Sequence, residues 1–117
     1  MEVRTETIAG LPVVSIVGEV DRLSGKTLKR AIAAVLQGGD ESSCLLIDLS
    51  QCTYVDAVAL SVLMSTRERL AADHCLGLIG ASASIRNVFD LVGFTESDTL
   101  RFLASKDEAE ELARRVT

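Results

Sequence analysis

The order of apolar and polar residues along the chain predicts a hairpin followed by alternating strands and helices. Two β-prone runs, residues 5–9 and 13–17, flank a Gly-Leu-Pro segment that is typical of a turn between antiparallel strands. Residues 44–49 are apolar apart from one Asp and too few for a typical helix, which indicates a strand covered on both faces. We expect two further strands at residues 75–79 and 99–103.

Helical spacing of apolar residues predicts four helices between and after these strands. Ser24 or Asp21 can cap the first helix, which should end at Gly38-Gly39, and Asp56 should cap the second after a polar turn at residues 50–53. The expected apolar faces are Leu28, Ile32, Val35 and Leu36; then Leu60, Leu63, Met64, Leu70 and Ala71; then Ile85, Val88, Phe89 and Val92; and last Ala109, Leu112, Ala113 and Val116.

This order of elements predicts an α/β fold. We expect a mixed sheet of about five strands, with an N-terminal antiparallel hairpin and then parallel strands, and about four helices. The chain has 117 residues, which is near the usual size of one domain, so residues 1–117 are expected to form a single domain.

Charge and composition narrow the choice of partner. The net charge is −5 and no basic cluster is longer than Arg114-Arg115, which argues against nucleic acid. The charged N-terminus does not have the pattern of a signal peptide, and the acidic C-terminal helix would be repelled by anionic lipid. We therefore expect a cytoplasmic protein that does not bind membranes directly.

The sequence offers few groups for chemistry. Cys44, Cys52 and Cys75 lack the spacing of a zinc or thioredoxin-like site, and His74 is the sole histidine. Buried thiols are the simplest interpretation of the cysteines, but Cys44 and Cys75 begin two predicted parallel strands and could form a redox pair. We expect no catalytic residues, no metal and no cofactor, and hence no enzyme.

Two aspartates should lie at one edge of the sheet. Function in such folds concentrates beyond the carboxyl ends of parallel strands, where Asp21 and Asp56 both fall. We expect this edge, with Ala57, Val58 and Ser61 in the first turns of the second helix, to bind a protein partner. A plain turn or cap role for each Asp is the alternative.

Several short segments follow one another in a characteristic order along the chain. They are Gly18-Glu19-Val20-Asp21, Asp48-Leu49-Ser50 and Asp56-Ala57-Val58-Ala59-Leu60-Ser61, followed by Leu78-Ile79-Gly80-Ala81 and residues 85–94. Together they resemble the bacterial anti-sigma factor antagonists of the STAS domain family, which carry a Gly-Glu-Leu-Asp-like segment, an apolar strand ending in Asp-Leu-Ser, and an Asp-Ser-Ser-Gly-Leu-Gly motif that opens a helix. The resemblance extends over nearly the whole chain.

The resemblance implies a partner and also a departure from the family. The partner would be an ATP-binding, kinase-like anti-sigma factor, whose binding releases a sigma factor. The family's phosphoacceptor serine, which the anti-sigma kinase modifies, corresponds to Ala57, which has no hydroxyl. We therefore expect no phosphorylation switch at this position, and Ser61 and Thr53 are the weaker alternative acceptors.

Other functions stay open at this point. STAS-like modules also serve as regulatory subunits of transporters and stress-sensing assemblies, and a redox-regulated antagonist could use its cysteines. Asp48, Asp56 and Lys106 loosely resemble a receiver-type phosphoacceptor, although a receiver begins with one strand and a helix instead of a hairpin. A homodimer through the exposed hairpin edge is a further alternative.

Overall fold

The sheet holds its strands in the order in which they occur along the chain. The structure, a computed structural model, describes residues 1–37, 44–70 and 74–116. Within these ranges the elements are β1 (Glu2–Ile8), β2 (Leu11–Val20), α1 (Gly25–Gln37), β3 (Cys44–Val55), α2 (Ala57–Arg69), β4 (Cys75–Ile79), α3 (Ala83–Leu91), β5 (Leu100–Leu103) and α4 (Lys106–Val116). β1 and β2 pair antiparallel, and the other neighbouring strands pair parallel. The predicted mixed sheet with four helices is confirmed for the described chain.

The hairpin turn is tighter than the sequence suggests. Ile8 pairs with Leu11, so the turn consists of Ala9 and Gly10 alone. Their φ angles are 49° and 91°, as a two-residue type I′ turn requires. The prediction that Leu11 and Pro12 belong to the turn is wrong. Leu11 is buried, and Pro12 is accommodated because it precedes the pairing of β2 with β3.

The first half of β3 is buried on both faces, as predicted. Leu45 and Ile47 belong to the larger core cluster, which also contains buried residues of α1, α2 and α3. Leu46 points to the opposite face and packs in a second cluster with Ala109 and Ala113 of α4. The sheet therefore separates three helices on one face from one helix on the other.

The predicted turn at residues 50–53 is wrong, because β3 continues to Val55. Pairing with β4 ends where Asp48 lies opposite Ile79, whereas pairing with β2 continues to Val55. Residues 50–55 thus pair with β2 on one side but not with β4 on the other. This half of β3 is more exposed than the first half, so it can carry polar side chains. Cys52 and Val55 nevertheless point inward and are buried.

The predicted helix faces hold for α1, α2 and α4 but only in part for α3. Ile85 and Phe89 are buried, whereas Val88 and Val92 are exposed. The reason is the chain reversal at Gly93, whose φ is +79°, since it brings Phe94 against Phe89 with ring centroids 5.4 Å apart. The predicted helix end at Gly38-Gly39 and the predicted core residue Ala71 lie outside the described residues.

The close approach of Gly80 to β3 yields a stability prediction. Gly80 has φ +67°, and a Cβ there would lie 2.8 Å from the Cβ of Ser50. We expect Gly80→Ala to lower the free energy of unfolding by about 3 kcal/mol, from left-handed backbone strain plus overpacking. Gly93→Ala is the matched control because φ is also positive but nothing lies within 4 Å. It should cost only about 1 kcal/mol in urea unfolding, and equal losses would contradict the packing argument.

Candidate functional site

Two loops lie side by side where β2 and β3 end. Val20 pairs with Val55, and the backbone N–H of Asp56 donates to the carbonyl oxygen of Val20 over 3.0 Å. Asp21 and Asp56, the next residues of their strands, therefore lie at the same edge of the sheet. We name residues 21–25 together with residues 56–61 the Asp56 edge.

Asp56 fixes the start of α2. Its Oδ1 accepts a hydrogen bond of 2.9 Å from the backbone N–H of Ala59, and its carbonyl oxygen accepts one of 3.0 Å from Leu60. Asp56 is thus the N-cap, as the sequence predicts, and the negative carboxylate lies at the positive end of the helix dipole. Among the described residues none hydrogen-bonds its second oxygen, Oδ2. One carboxylate oxygen, Oδ1, therefore holds the start of the helix.

Asp21 organises the turn that leads into α1. Its Oδ1 accepts from the backbone N–H groups of Leu23 and Ser24, each at 3.0 Å, and from the Ser24 hydroxyl at 2.9 Å. The Ser24 hydroxyl oxygen in turn accepts from the Asp21 backbone N–H at 2.8 Å. The hydrogen bonds from the Ser24 side chain, and then from the backbone of Ser24 and Leu23, hold the pKa of the Asp21 carboxyl below its usual value. This exposed carboxylate is consequently ionised at neutral pH, and it also shapes the loop.

The first turns of α1 and α2 touch at a glycine. Gly25 is buried, and a Cβ on it would lie 2.8 Å from Cγ1 of Val58. Val58 keeps 41% of its surface exposed, and the neighbouring Ala57 is also exposed. The hydroxyl of Ser61 is exposed and donates to the carbonyl oxygen of Ala57 over 3.0 Å. The helix tip is therefore a firmly held surface with apolar side chains.

The structure adds Leu23 and Tyr54 to this region, which sequence reasoning missed. Leu23 is 87% exposed at the tip of the Asp21 turn, and Tyr54 is 51% exposed near the end of β3. An apolar residue inside a capping segment was the available signal for Leu23. Tyr54 was missed because residues 50–53, which precede it in β3, were interpreted as a polar turn.

The remaining predicted residues lie elsewhere. Thr53 lies in β3 instead of the predicted loop, with its side chain exposed. Cys44 and Cys75 are register partners at the amino ends of β3 and β4, and a disulfide joins them with Cα atoms 4.5 Å apart. This is the edge of the sheet opposite to the Asp56 edge. Cys52 is a buried free thiol whose pKa is raised by burial.

Asp48 does not join Asp56 in one site. It is buried, accepts from the Ser50 backbone N–H at 2.9 Å, and lies 3.9 Å from Nζ of Lys106 on the α4 face of the sheet. Lys106 also contacts Glu6, at 3.3 Å. Since Asp56 caps a helix on the other face, the three residues of the receiver-like interpretation do not converge.

No group of three or more His, Cys, Asp or Glu side chains among residues 1–37, 44–70 and 74–116 is arranged to hold a metal ion. None of the helices in these ranges is both long and apolar enough to span a bilayer.

Comparison with known proteins assigns this fold to a family. The family model described as "Mlab, STAS domain" matches residues 5–104. The anti-sigma-F factor antagonist RsfB of Mycobacterium tuberculosis is 30% identical over 108 residues, which cover 90% of this chain and 85% of the relative.

Two solved structures extend the comparison. An anti-sigma factor antagonist from Mycobacterium paratuberculosis has a TM-score of 0.83 at 28% identity, covering 97% of this chain and 93% of that one. The phosphorylated form of the Bacillus cell fate determinant SpoIIAA has a TM-score of 0.71 at 14% identity, covering 95% and 99%, and shows likeness of fold alone. By its family match and its relative, this chain belongs to the STAS domain family.

Proposed function

We propose that this chain is an anti-sigma factor antagonist that binds an anti-sigma factor through the Asp56 edge and so releases a sigma factor. The observation that carries the proposal is the exposed apolar surface of Leu23, Ala57 and Val58 around a helix tip fixed by hydrogen bonds. A rigid apolar patch with a polar rim is the surface that protein partners bury. The M. tuberculosis relative is named as an anti-sigma-F factor antagonist, which supports the same proposal.

The proposed partner is an anti-sigma factor of the ATP-binding, kinase-like type. The Asp56 edge presents the carboxylates of Asp21 and Asp56, which favour a basic contact on the partner. Sigma factors act with RNA polymerase, so the proposal places the chain in the cytoplasm. The chain acts by binding in this account and performs no catalysis.

We also propose that phosphorylation does not switch the chain at residue 57. The side chain of Ala57 is a methyl group, which has no oxygen to accept a phosphoryl group. A phosphate there would add about −1.5 to −2 charge to the apolar tip, and burying that charge in an apolar contact would cost desolvation free energy. Ser61 and Thr53 are the alternative acceptors, and both side chains are exposed.

Charge at residue 56 tests the docking edge. We expect Asp56→Lys to weaken binding to the cognate anti-sigma factor about tenfold or more, because the partner's basic group meets a like charge. Calorimetry with purified anti-sigma factors from the organism that encodes the chain measures the effect. Asp56→Asn is the matched control for the helix cap, because its amide oxygen can still accept a hydrogen bond from the Ala59 N–H. Ala57→Ser should bind the anti-sigma factor within about twofold of the natural chain. Unchanged affinity of Asp56→Lys would refute docking at this edge.

Phosphorylation by the anti-sigma factor tests the missing switch. With ATP, the natural chain is expected to gain no phosphate, whereas Ala57→Ser should gain one at residue 57, as located by mass spectrometry. The variant serves as the positive control because it restores a hydroxyl at the exposed tip of α2. Phosphate on Ser61 or Thr53 of the natural chain would contradict the expectation that the natural chain gains none, and it would assign the phosphoacceptor to that residue.

Redox control of the same function is a second candidate, favoured by the pairing of Cys44 with Cys75. An added small-molecule disulfide would oxidise the two thiols to the Cys44–Cys75 disulfide, and its own S–S bond would be reduced to two small-molecule thiols. Control by this route predicts that affinity for the anti-sigma factor differs between oxidised and reduced protein. The double variant Cys44→Ser/Cys75→Ser should abolish that difference, and Cys52→Ser should keep it. Equal affinities of oxidised and reduced natural chain would eliminate this candidate.

A role as regulatory subunit of a transporter or stress-sensing assembly is the remaining alternative. The murine Slc26a9 anion transporter structure matches 94% of this chain over 18% of its own length, with a TM-score of 0.70 at 17% identity, which shows a shared fold alone. Pull-down from the native cell separates the two functions. Recovery of transporter subunits without any anti-sigma factor would contradict the antagonist proposal.

A further inference from the structure

A groove runs between α1 and α2, beginning beside the Asp56 edge. Its volume is about 540 Å³. Gly25 and Val58 close the end of the groove that lies beside the Asp56 edge, where the two helices touch. Arg69 lies at the opposite end. Eleven residues of α2 separate these ends, which corresponds to about 16 Å or three helical turns. Its lining residues are Gly25, Lys26, Lys29, Ile32, Val58, Ser61, Val62, Ser65, Thr66 and Arg69.

The floor of the groove is apolar. Ile32 of α1 is buried, and Val62 of α2 is half-buried beside it. Val58 extends this floor to the Asp56 edge, because its side chain lines the groove and is also exposed at the helix tip. The surface is thus continuous from the proposed docking edge into the groove.

The rim of the groove is basic. Lys26, Lys29 and Arg69 line it, and among the described residues that do so there is no Asp or Glu. None of the three forms an ion pair with another described residue, whereas Arg4, Lys106, Arg114 and Arg115 each pair with a carboxylate. Three cations without a described carboxylate partner therefore surround one groove in a chain whose net charge is −5.

We propose that this groove binds an acidic amphipathic helix of the anti-sigma factor, with the apolar face of that helix on Ile32, Val58 and Val62 and its carboxylates on the basic rim. The inference rests on the proposed function and extends the interface beyond the helix tip. A partner helix of about three turns matches the groove in length, and recognition by apolar anchors at helical spacing is a common mode. The partner would therefore present a basic group to Asp56 and acidic groups to the groove.

Charge reversal of the rim tests the proposal. We expect Lys26→Glu/Lys29→Glu to weaken binding of the purified anti-sigma factor about tenfold or more, since two attractive contacts become repulsive. The variant should fold, because an acidic residue in the first turn of α1 suits the helix dipole. Arg30→Glu/Arg101→Glu makes the same change of charge at exposed positions outside the groove and should bind within about twofold.

A steric variant tests the groove independently of charge. Ser65 is exposed on the rim, so Ser65→Phe places a ring over the floor without removing core packing. It is expected to lower affinity at least about fivefold, whereas Thr27→Phe, at an exposed position of α1 outside the groove, should leave affinity unchanged.

The outcomes separate this inference from the proposed function. If no anti-sigma factor binds the natural chain, the proposed function fails. If the natural chain binds and Asp56→Lys does not, but the rim and Ser65 variants bind like the natural chain, the groove inference alone is overturned. Equal losses in the rim variant and in its Arg30/Arg101 control would overturn it as well, because net charge would then explain the effect. Saturable binding of oleate in a groove that the anti-sigma factor leaves free would assign the groove to a small amphipathic anion instead.

Discussion

The side-by-side ends of β2 and β3 determine where the functional surface lies. Both strands extend beyond β4, and the hydrogen bond from the Asp56 N–H to the Val20 carbonyl joins them at the point where the chain leaves the sheet. The loops that follow must then lie next to each other, and Gly25 lets the two helices that begin there touch. Because β2 and β3 stay paired as far as Val20 and Val55, the two aspartates that follow lie on one surface, to which we assign the protein partner.

Both aspartates serve the structure and leave room for contact. Each carboxylate uses Oδ1 to hold backbone N–H groups, Asp56 at the start of α2 and Asp21 in the turn before α1. Such local bonds pre-organise a surface, so a partner pays less ordering entropy when it binds. The cap role and the docking role are therefore compatible, so each aspartate can perform both, although the sequence presented them as alternatives.

The strand and helix pattern of the sequence predicted the fold well, but interpretation of polar residues was less reliable. Buried strands such as residues 44–49 and N-caps such as Asp56 depend on local signals, and the structure has them as predicted. The continuation of β3 to Val55 depends on which neighbour strand ends first, which no local pattern reveals. The prediction that Val92 lies in the core is wrong for a similar reason. The chain reversal at Gly93 packs Phe94, which lies beyond the helix, against Phe89, and Val92 stays exposed. The basic groove could not be predicted from the sequence, because Lys26 and Arg69 line the same groove only when α1 packs beside α2.

Mapping the residues that contact the anti-sigma factor is the most direct test of the central claim, which is that the Asp56 edge binds a protein partner. Backbone amide chemical shifts of the isotope-labelled chain, recorded with and without the unlabelled anti-sigma factor, report that surface residue by residue. We expect the largest changes on residues 21–25 and 56–61, with further changes along the facing sides of α1 and α2. Changes confined to β1 and α4, with the tip of α2 unaffected, would contradict it.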